Sequence, residues 1–188
     1  MLARSQHRFT VSDYYRMAES GLFAPNDRVE LLDGAILDTA SVDPFHGGSV
    51  NRLARLFNKV ADSRWLVSIQ GPVHLNDHSE PRPDLMLLQP AREVYTSRHP
   101  LAEDVFLLIE VANSSLEMDR AEKLPAYGHA GIPEVWIVNL RDKIIEIYRE
   151  PHFSGYGSRK ILNASEQASP LAFPEIHVDG AALLSAAP

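Results

Sequence analysis

The run Val105-Phe106-Leu107-Leu108-Ile109-Glu110-Val111-Ala112 decides the fold of this chain. A short, continuous apolar stretch that is partly β-branched predicts a strand buried on both faces of a sheet. Glu110 interrupts the stretch, and an unpaired ionised carboxylate in such a strand would lose hydration worth several kcal/mol. We therefore expect Glu110 to be protonated, paired with a cation or bound to a metal ion.

The segments around this run alternate between helical and extended patterns. Upstream, the sequence predicts a helix from Thr10 to about Ser20, followed by a hairpin of Arg28 to Leu32 and Ala35 to Leu37 about an Asp33-Gly34 turn. A helix from about Gly48 to Asp62 comes next, and then the antiparallel strands Trp65 to Leu75 and Pro83 to Leu88. Downstream, it predicts a helix from about Asp119 to Ala130, strands Glu134 to Leu140 and Lys143 to Arg149, and a weakly patterned tail that ends in a short strand near Phe173 to Val178. This order predicts an α/β or α+β domain with a central mixed sheet flanked by helices.

The composition is that of one ordinary globular domain. The 188 residues are 45% hydrophobic and 23% charged, and we expect a single domain with a core of about residues 8–150 and a C-terminal extension, 151–188. Cysteine is absent from the sequence, which excludes disulfides, thiolate catalysis and sulfur-based zinc sites. The longest apolar run is far shorter than the ~20 residues that span a bilayer, so we expect a cytoplasmic protein without membrane contact.

The formal net charge of -7 at pH 7 argues against a protein that coats nucleic acid with a positive surface. It does not exclude a nuclease, because carboxylates gathered around metal ions reverse the local electrostatics. The function therefore depends on where the surplus carboxylates lie.

Asp84 is the second acid that the sequence singles out. It lies at the start of the apolar strand Pro83 to Leu88, and adjacent strands would bring it close to Glu110. Two carboxylates a few ångströms apart raise each other's pKa and form a hard oxygen site that suits Mg²⁺ or Mn²⁺. In the structural alternative, Asp84 caps a strand after a proline turn and Glu110 pairs with a buried arginine or lysine.

Lys123 lies on the helix that follows the Glu110 strand, at the border of its packed face. A lysine beside a metal-bound water can position that water and stabilise developing phosphoryl charge. The alternative is an exposed lysine paired with Asp119 four residues earlier. Pro125 leaves a further choice open, since the helix could begin only near Leu124 and leave Lys123 on the incoming loop.

Several short motifs follow one another in a specific order. They are Val29-Glu30-Leu31-Leu32-Asp33-Gly34, Pro83-Asp84-Leu85, Ile109-Glu110-Val111, Asp119 to Lys123 with Tyr127, and Gly131 to Val138. Each motif is weak alone, but the ordered set resembles the Uma family of putative restriction endonucleases, a bacterial family of the PD-(D/E)XK nuclease superfamily. The resemblance covers roughly residues 8–150.

This resemblance implies a restriction-endonuclease-like fold with a divalent-metal site at one edge of the sheet. Asp84 then matches the Asp of the family motif and Glu110 its second acid. The lysine that usually follows two residues later is replaced by Ala112, and Lys123 on the next helix is expected to take its role. Glu30 matches the Glu of the family's hairpin and is a candidate third metal ligand, with an exposed strand carboxylate as the alternative.

The resemblance implies an Mg²⁺- or Mn²⁺-dependent endodeoxyribonuclease with DNA as its substrate. Asp84 and Glu110, with Glu30, would hold the metal, and Lys123 would orient or activate the attacking water. Cleavage of both strands by subunits with one site each would require a homodimer. A second hypothesis from a different class is a nuclease-fold interaction or DNA-binding module without catalysis, which the acidic balance favours.

Five further residues are candidates for supporting roles. His46 could orient a phosphate or a water, although a surface or capping histidine is an equal alternative. Gln70, on the strand before Asp84, is expected to border the site. The basic stripe of the second helix would supply phosphate contacts if it is more than a solvated face; its members are Arg52, Arg55 and Lys59.

Overall fold

The computed structural model describes residues 7–24, 26–39, 43–91 and 95–185. Its centre is a mixed sheet of six strands in the order β3-β4-β5-β6-β7-β8. The apolar run forms β5 (Val105–Ala112), an interior strand that lies antiparallel to β4 (Leu85–Leu88) and parallel to β6 (Glu134–Asn139). The predicted fold class, a central mixed sheet flanked by helices, is confirmed.

The other elements surround this sheet. They are the helices α1 (Val11–Glu19), α2 (Pro44–Val60), α3 (Leu116–Met118), α4 (Leu124–His129) and α5 (Gly180–Leu184), the strands β1 (Val29–Leu32), β2 (Ala35–Asp38), β3 (Leu66–Ile69), β7 (Ile144–His152), β8 (Gly155–Leu162), β9 (Gln167–Ala168) and β10 (Val178–Asp179), and a 3₁₀ turn, Ala102–Asp104. β1 and β2 form the predicted hairpin as a separate two-stranded sheet. No helix within the described ranges is both long and apolar enough to cross a bilayer.

The alternation of side chains along β5 divides the core into two layers. On one face, Leu107, Ile109 and Val111 pack in the same cluster as residues of α2 and α5, including Phe57 and Leu183. On the other face, Leu108 and Ala112 pack with Met86 of β4 and with Leu124 and Tyr127 of α4. Glu110 has the parity of this second layer, so its side chain lies on the α4 side of the sheet.

The predicted strand Trp65 to Leu75 is wrong in its length, because β3 ends at Ile69. Gln70 adopts a left-handed backbone conformation with φ of 49°, which few non-glycine residues tolerate. Gly71-Pro72 follows, and proline cannot donate to a strand ladder. Helix α2, in contrast, begins four residues before its predicted start, because Asp43 caps it by accepting a hydrogen bond from His46 N at 2.8 Å.

The helix after β5 is continuous across the position of Pro125. Residues Asp119–Lys123 form a π-helical turn between α3 and α4, in which Leu124 N donates to Asp119 O. The wider turn accommodates the proline, which lacks an N–H and crowds the carbonyl four residues earlier. The alternative in which Lys123 lies on an incoming loop is therefore wrong, and the lysine side chain projects from a helix.

The tail after Pro151 contributes more structure than the sequence predicts. β8 adds an unpredicted sixth strand to the central sheet by pairing antiparallel with β7. The short strand expected near Phe173 to Val178 is limited to β10, which pairs with β9. The β7–β8 hairpin also packs against α4, where the close approach of two backbones requires glycine.

Gly128 supplies a test of this packing. A Cβ atom at Gly128 would lie 2.1 Å from Gly155 O, whereas one at Gly48 in α2 would meet its nearest neighbour, Arg52, at 3.6 Å. We predict that Gly128→Ala lowers the free energy of unfolding by about 2–3 kcal/mol through overpacking. Gly48→Ala, the matched control, should raise it by up to about 1 kcal/mol through helix propensity.

Urea unfolding followed by tryptophan fluorescence measures both variants. Equal unfolding midpoints for Gly128→Ala and Gly48→Ala would contradict the proposed contact between α4 and the β7–β8 hairpin.

Candidate active site

The carboxyl groups of Asp84 and Glu110 converge on the α4 face of the sheet. Asp84 directly precedes β4, whose Leu85 pairs with Ile109 of β5, and this register brings the two acids to neighbouring positions. Asp84 N donates to Glu110 Oε2 at 3.4 Å, and Val111 N donates to Asp84 Oδ2 at 2.9 Å. The two acids that the sequence singles out therefore share one site.

Two side chains on the open side of this pair hold the other oxygen of Asp84. His46 Nε2 lies 2.9 Å from Asp84 Oδ1, and Gln70 Nε2 donates to the same oxygen at 3.3 Å. The left-handed turn at Gln70 carries its amide to this position. The hydrogen bond with Asp84 is the main reason why the pKa of His46 is raised above its usual value, which favours the protonated imidazole.

Glu110 is bound from the helix that follows it. Tyr127 Oη donates to Glu110 Oε1 at 2.6 Å, and Lys123 Nζ donates to the same oxygen at 3.3 Å. The Lys123 side chain is only 8% exposed, so the alternative of an exposed lysine paired with Asp119 is wrong. The ammonium group lies among carboxylates in the interior of the protein.

Glu30 is the second partner of Lys123. Its Oε1 lies 3.2 Å from Lys123 Nζ, an ion-pair distance, but accepts no aligned hydrogen bond from the described residues. Its Oε2 accepts a hydrogen bond from Arg82 N at 2.9 Å. Glu30 is fully buried, which overturns the alternative of an exposed strand carboxylate.

Asp119 completes the group, although the sequence suggested it only as an exposed partner for Lys123. It is buried, and its Oδ2 accepts a hydrogen bond from Ser115 Oγ at 2.7 Å. Tyr127 also reaches the site, as described above, but had no predicted role. The helical spacing of Asp119, Lys123 and Tyr127, four residues apart in each step, was the signal that could have placed all three on one face. We call the four acids Glu30, Asp84, Glu110 and Asp119 the acid cluster.

The acid cluster carries more negative charge than its cations balance. Burial, opposed in part by the charge of Lys123 and supported by the charges of Asp119 and Asp84, raises the pKa of Glu110 to about 8. Burial likewise raises the pKa of Asp119 to about 6. Burial alone would lower the pKa of Lys123, but the surrounding carboxylates, led by Glu110, raise it above its ordinary value.

A cavity of about 460 Å³ opens onto this cluster. Asp84, Glu110, Asp119 and Lys123 line it, together with His46 and Gln70, whereas Glu30 lies behind the lysine. Buried carboxylate oxygens in excess of their cations are the donors that hard divalent ions prefer. The donor set therefore fits Mg²⁺ or Mn²⁺. Within the described ranges, however, no three His, Asp or Glu side chains already surround a single ion position.

The basic stripe of α2 lies elsewhere. Arg55 and Lys59 are exposed and do not line the cavity. Arg52 is half-buried and donates to Ser49 Oγ at 2.9 Å and to the carbonyl of Ser185. The role of these three residues as phosphate contacts stays a prediction, but it concerns a surface outside the cavity.

Comparison with known proteins gives one family and one described structural neighbour. The model of the Uma2 family, described as putative restriction endonuclease, matches residues 11–184. The fold is similar to the crystal structure of a putative nuclease belonging to DUF820 from Anabaena variabilis, with a TM-score of 0.72 and 14% identity over 94% of this chain and 97% of that chain. No curated protein shows a significant match to the sequence. The family match extends past the region 8–150 that carries the resemblance in the sequence.

The raised pKa of Glu110 predicts how stability depends on pH. Between about pH 4.5 and pH 8, the folded protein keeps a proton on Glu110 that the unfolded chain has lost, so the free energy of unfolding falls as pH rises through this window. Glu110→Gln removes this dependence. In the presence of a chelator, we expect the stability of Glu110→Gln relative to wild type to increase by on the order of 4 kcal/mol between pH 5 and pH 8.5.

Chemical denaturation at a series of pH values tests this expectation. Glu117→Gln, a change at an acid whose side chain is 82% exposed, serves as the control and should follow the wild-type curve. Parallel curves for wild type and Glu110→Gln would show that Glu110 does not keep its proton.

Proposed function

Because the chain belongs to the Uma2 family of putative restriction endonucleases, we propose that it is a divalent-metal-dependent endonuclease that hydrolyses DNA phosphodiester bonds at the acid cluster. The observation that carries this proposal is the convergence of Asp84, Glu110 and Lys123. These residues come from β5, its neighbour in the sheet and the following helix, and their side chains meet at the cavity.

Asp84 and Glu110, with Glu30 as a third candidate, would hold Mg²⁺ or Mn²⁺. When bound, such an ion lowers the pKa of water and neutralises charge on a phosphoryl group. Among the described residues, Asp84 Oδ2 accepts one hydrogen bond, from Val111 N, and Glu110 Oε2 accepts one, from Asp84 N. Each of these oxygens therefore keeps a lone pair that could bind the ion.

Lys123 contributes positive charge to the reaction. Its raised pKa keeps the ammonium group protonated, so it orients an attacking water and stabilises charge that develops on the phosphate. His46 and Gln70 position Asp84 through their hydrogen bonds to Oδ1, and Tyr127 positions Glu110.

A second candidate function is a nuclease-fold module that binds partners without catalysis. The pairing of Glu110 with the buried Lys123 favours it, because this contact also satisfies a purely structural role for Glu110. The two candidates differ in whether the acid cluster binds a divalent ion and whether DNA is cut.

The cleavage test compares wild type with variants of the cluster. With Mg²⁺ or Mn²⁺, we expect wild type to cut supercoiled, linear or single-stranded DNA, and we expect Asp84→Asn and Lys123→Met each to reduce the rate at least about 100-fold. Glu122→Gln, at an exposed acid adjacent to Lys123, should retain the wild-type rate. Undiminished cleavage by Asp84→Asn would identify a contaminating nuclease and remove the support for the assigned site.

Thermal unfolding separates metal binding from catalysis. Millimolar Mn²⁺ should raise the melting temperature of wild type by about 5 °C, because the ion binds the folded state alone. The same addition should leave Asp84→Asn unchanged. A shift without DNA cleavage would favour the non-catalytic module, whereas equal shifts in both proteins would place the metal outside the acid cluster.

A further inference from the structure

The charges that line the cavity pose a problem for a polyanionic substrate. Five acids line it, namely Asp27, Asp43, Asp84, Glu110 and Asp119, with three cations of the Arg/Lys type, Arg28, Arg82 and Lys123. Lys123 shares its one charge between ion pairs with Glu30 and Glu110. A phosphodiester that approaches the cavity therefore needs another source of positive charge.

Arg28 and Arg82 supply positive charge at the cavity besides Lys123 and His46, which contact the acid cluster. Both side chains line the cavity and belong to exposed residues, and neither forms an ion pair with any residue that the structure describes. Most of the other arginines that the structure describes form an ion pair with an acid. Arg120, for example, pairs with Glu146, and Arg149 pairs with Glu134. Two arginines at the cavity without an acid partner are available to contact a ligand.

Hydrogen bonds join the two segments that carry these arginines. Leu31 and Glu80 form an isolated antiparallel bridge, in which Glu80 N donates to Leu31 O at 2.8 Å. Arg82 N, two residues after Glu80, donates to the side chain of Glu30, which follows Arg28 by two residues. Both arginines therefore belong to segments that are in contact beside the same cavity.

Hydrogen bonds and flanking prolines restrain the main chain at these arginines. Thr39 donates to the carbonyl of Arg28 through its amide at 2.7 Å and its hydroxyl at 3.1 Å. Arg82 lies between the buried Pro81 and Pro83, and its amide donates to Glu30 of the acid cluster. The main chain is therefore positioned relative to the acids before any ligand binds, which reduces the entropic cost of binding.

We propose that Arg28 and Arg82 bind the DNA phosphates that flank the scissile bond, and that the basic stripe of α2 does not. This inference rests on the proposed function, since it places the substrate backbone at the acid cluster. Arg28 and Arg82 act in binding rather than in the chemical step. Their removal should raise KM and leave kcat within about twofold of wild type.

The experiment measures DNA binding apart from cleavage. Fluorescence anisotropy with labelled single-stranded and duplex oligonucleotides in chelator gives Kd over a range of salt concentrations. Arg28→Gln and Arg82→Gln should each weaken binding at least about fivefold and reduce the slope of log K against log salt by about 0.9. Arg55→Gln tests the alternative on α2 and should leave both quantities unchanged, and Lys160→Gln, at an exposed cation outside the cavity, is the control.

The outcomes distinguish this inference from the proposed function. Weakened binding in Arg28→Gln and Arg82→Gln supports the inference even if wild type cuts no DNA, in which case the nuclease proposal alone fails. Wild-type cleavage with unchanged KM in both variants overturns the inference and leaves the nuclease proposal standing. Weakened binding in Arg55→Gln alone would assign the phosphates to α2, and absence of DNA binding by wild type would overturn the inference outright. Unchanged melting temperatures show that the variants remain folded.

Discussion

One buried ammonium group, that of Lys123, connects the parts of the molecule that form the site. It lies within 3.3 Å of carboxylate oxygens from β1 and β5, and it projects from a π-helical turn that accommodates Pro125. Lys123 places a positive charge between Glu30 and Glu110, two buried acids whose negative charges would otherwise be disfavoured by burial and by Coulomb repulsion. One side chain therefore constrains the relative positions of the hairpin, the central strand and the helix that follows it.

The other buried glutamates of the sheet show what a purely structural acid looks like. Glu146 is fully buried as well, but it accepts hydrogen bonds from Arg120, Arg159 and Tyr148. Burial acts against its ionisation, yet these donors lower its pKa below the usual value. Glu110 shares one lysine with a second acid and has a raised pKa. A strongly shifted pKa next to a cavity is typical of functional sites. A carboxylate whose charge is balanced by neighbouring cations is typical of a structural role.

The sequence predicted the parts of the fold that carry strong local patterns. β5 and the β1–β2 hairpin were predictable because an unbroken apolar run and an Asp-Gly turn each specify their structure locally. β8 was not, because Gly157, Arg159 and Lys160 lack apolar alternation and an edge strand forms only by pairing with β7. In the site, Asp84 and Glu110 were predictable from charge within apolar strands. Asp119 could be placed by its helical spacing from Lys123 and Tyr127 only if the helix continues across Pro125, which it does through the π-helical turn. The arginines at the cavity were not predictable, because they meet the site through long-range contacts such as the bridge between Leu31 and Glu80.

The balance of charge within the site bears on how it could bind a cation. Lys123 places its positive charge among the acids, so a divalent ion and this ammonium group would compete for the negative charge of Glu110. The ion brings two charges where the lysine brings one, and the raised pKa of Glu110 indicates that one charge is insufficient. A bound ion would thus favour the ionised form of Glu110. The same excess of acids that makes the chain acidic overall would then favour a cation of higher charge than lysine at this cavity.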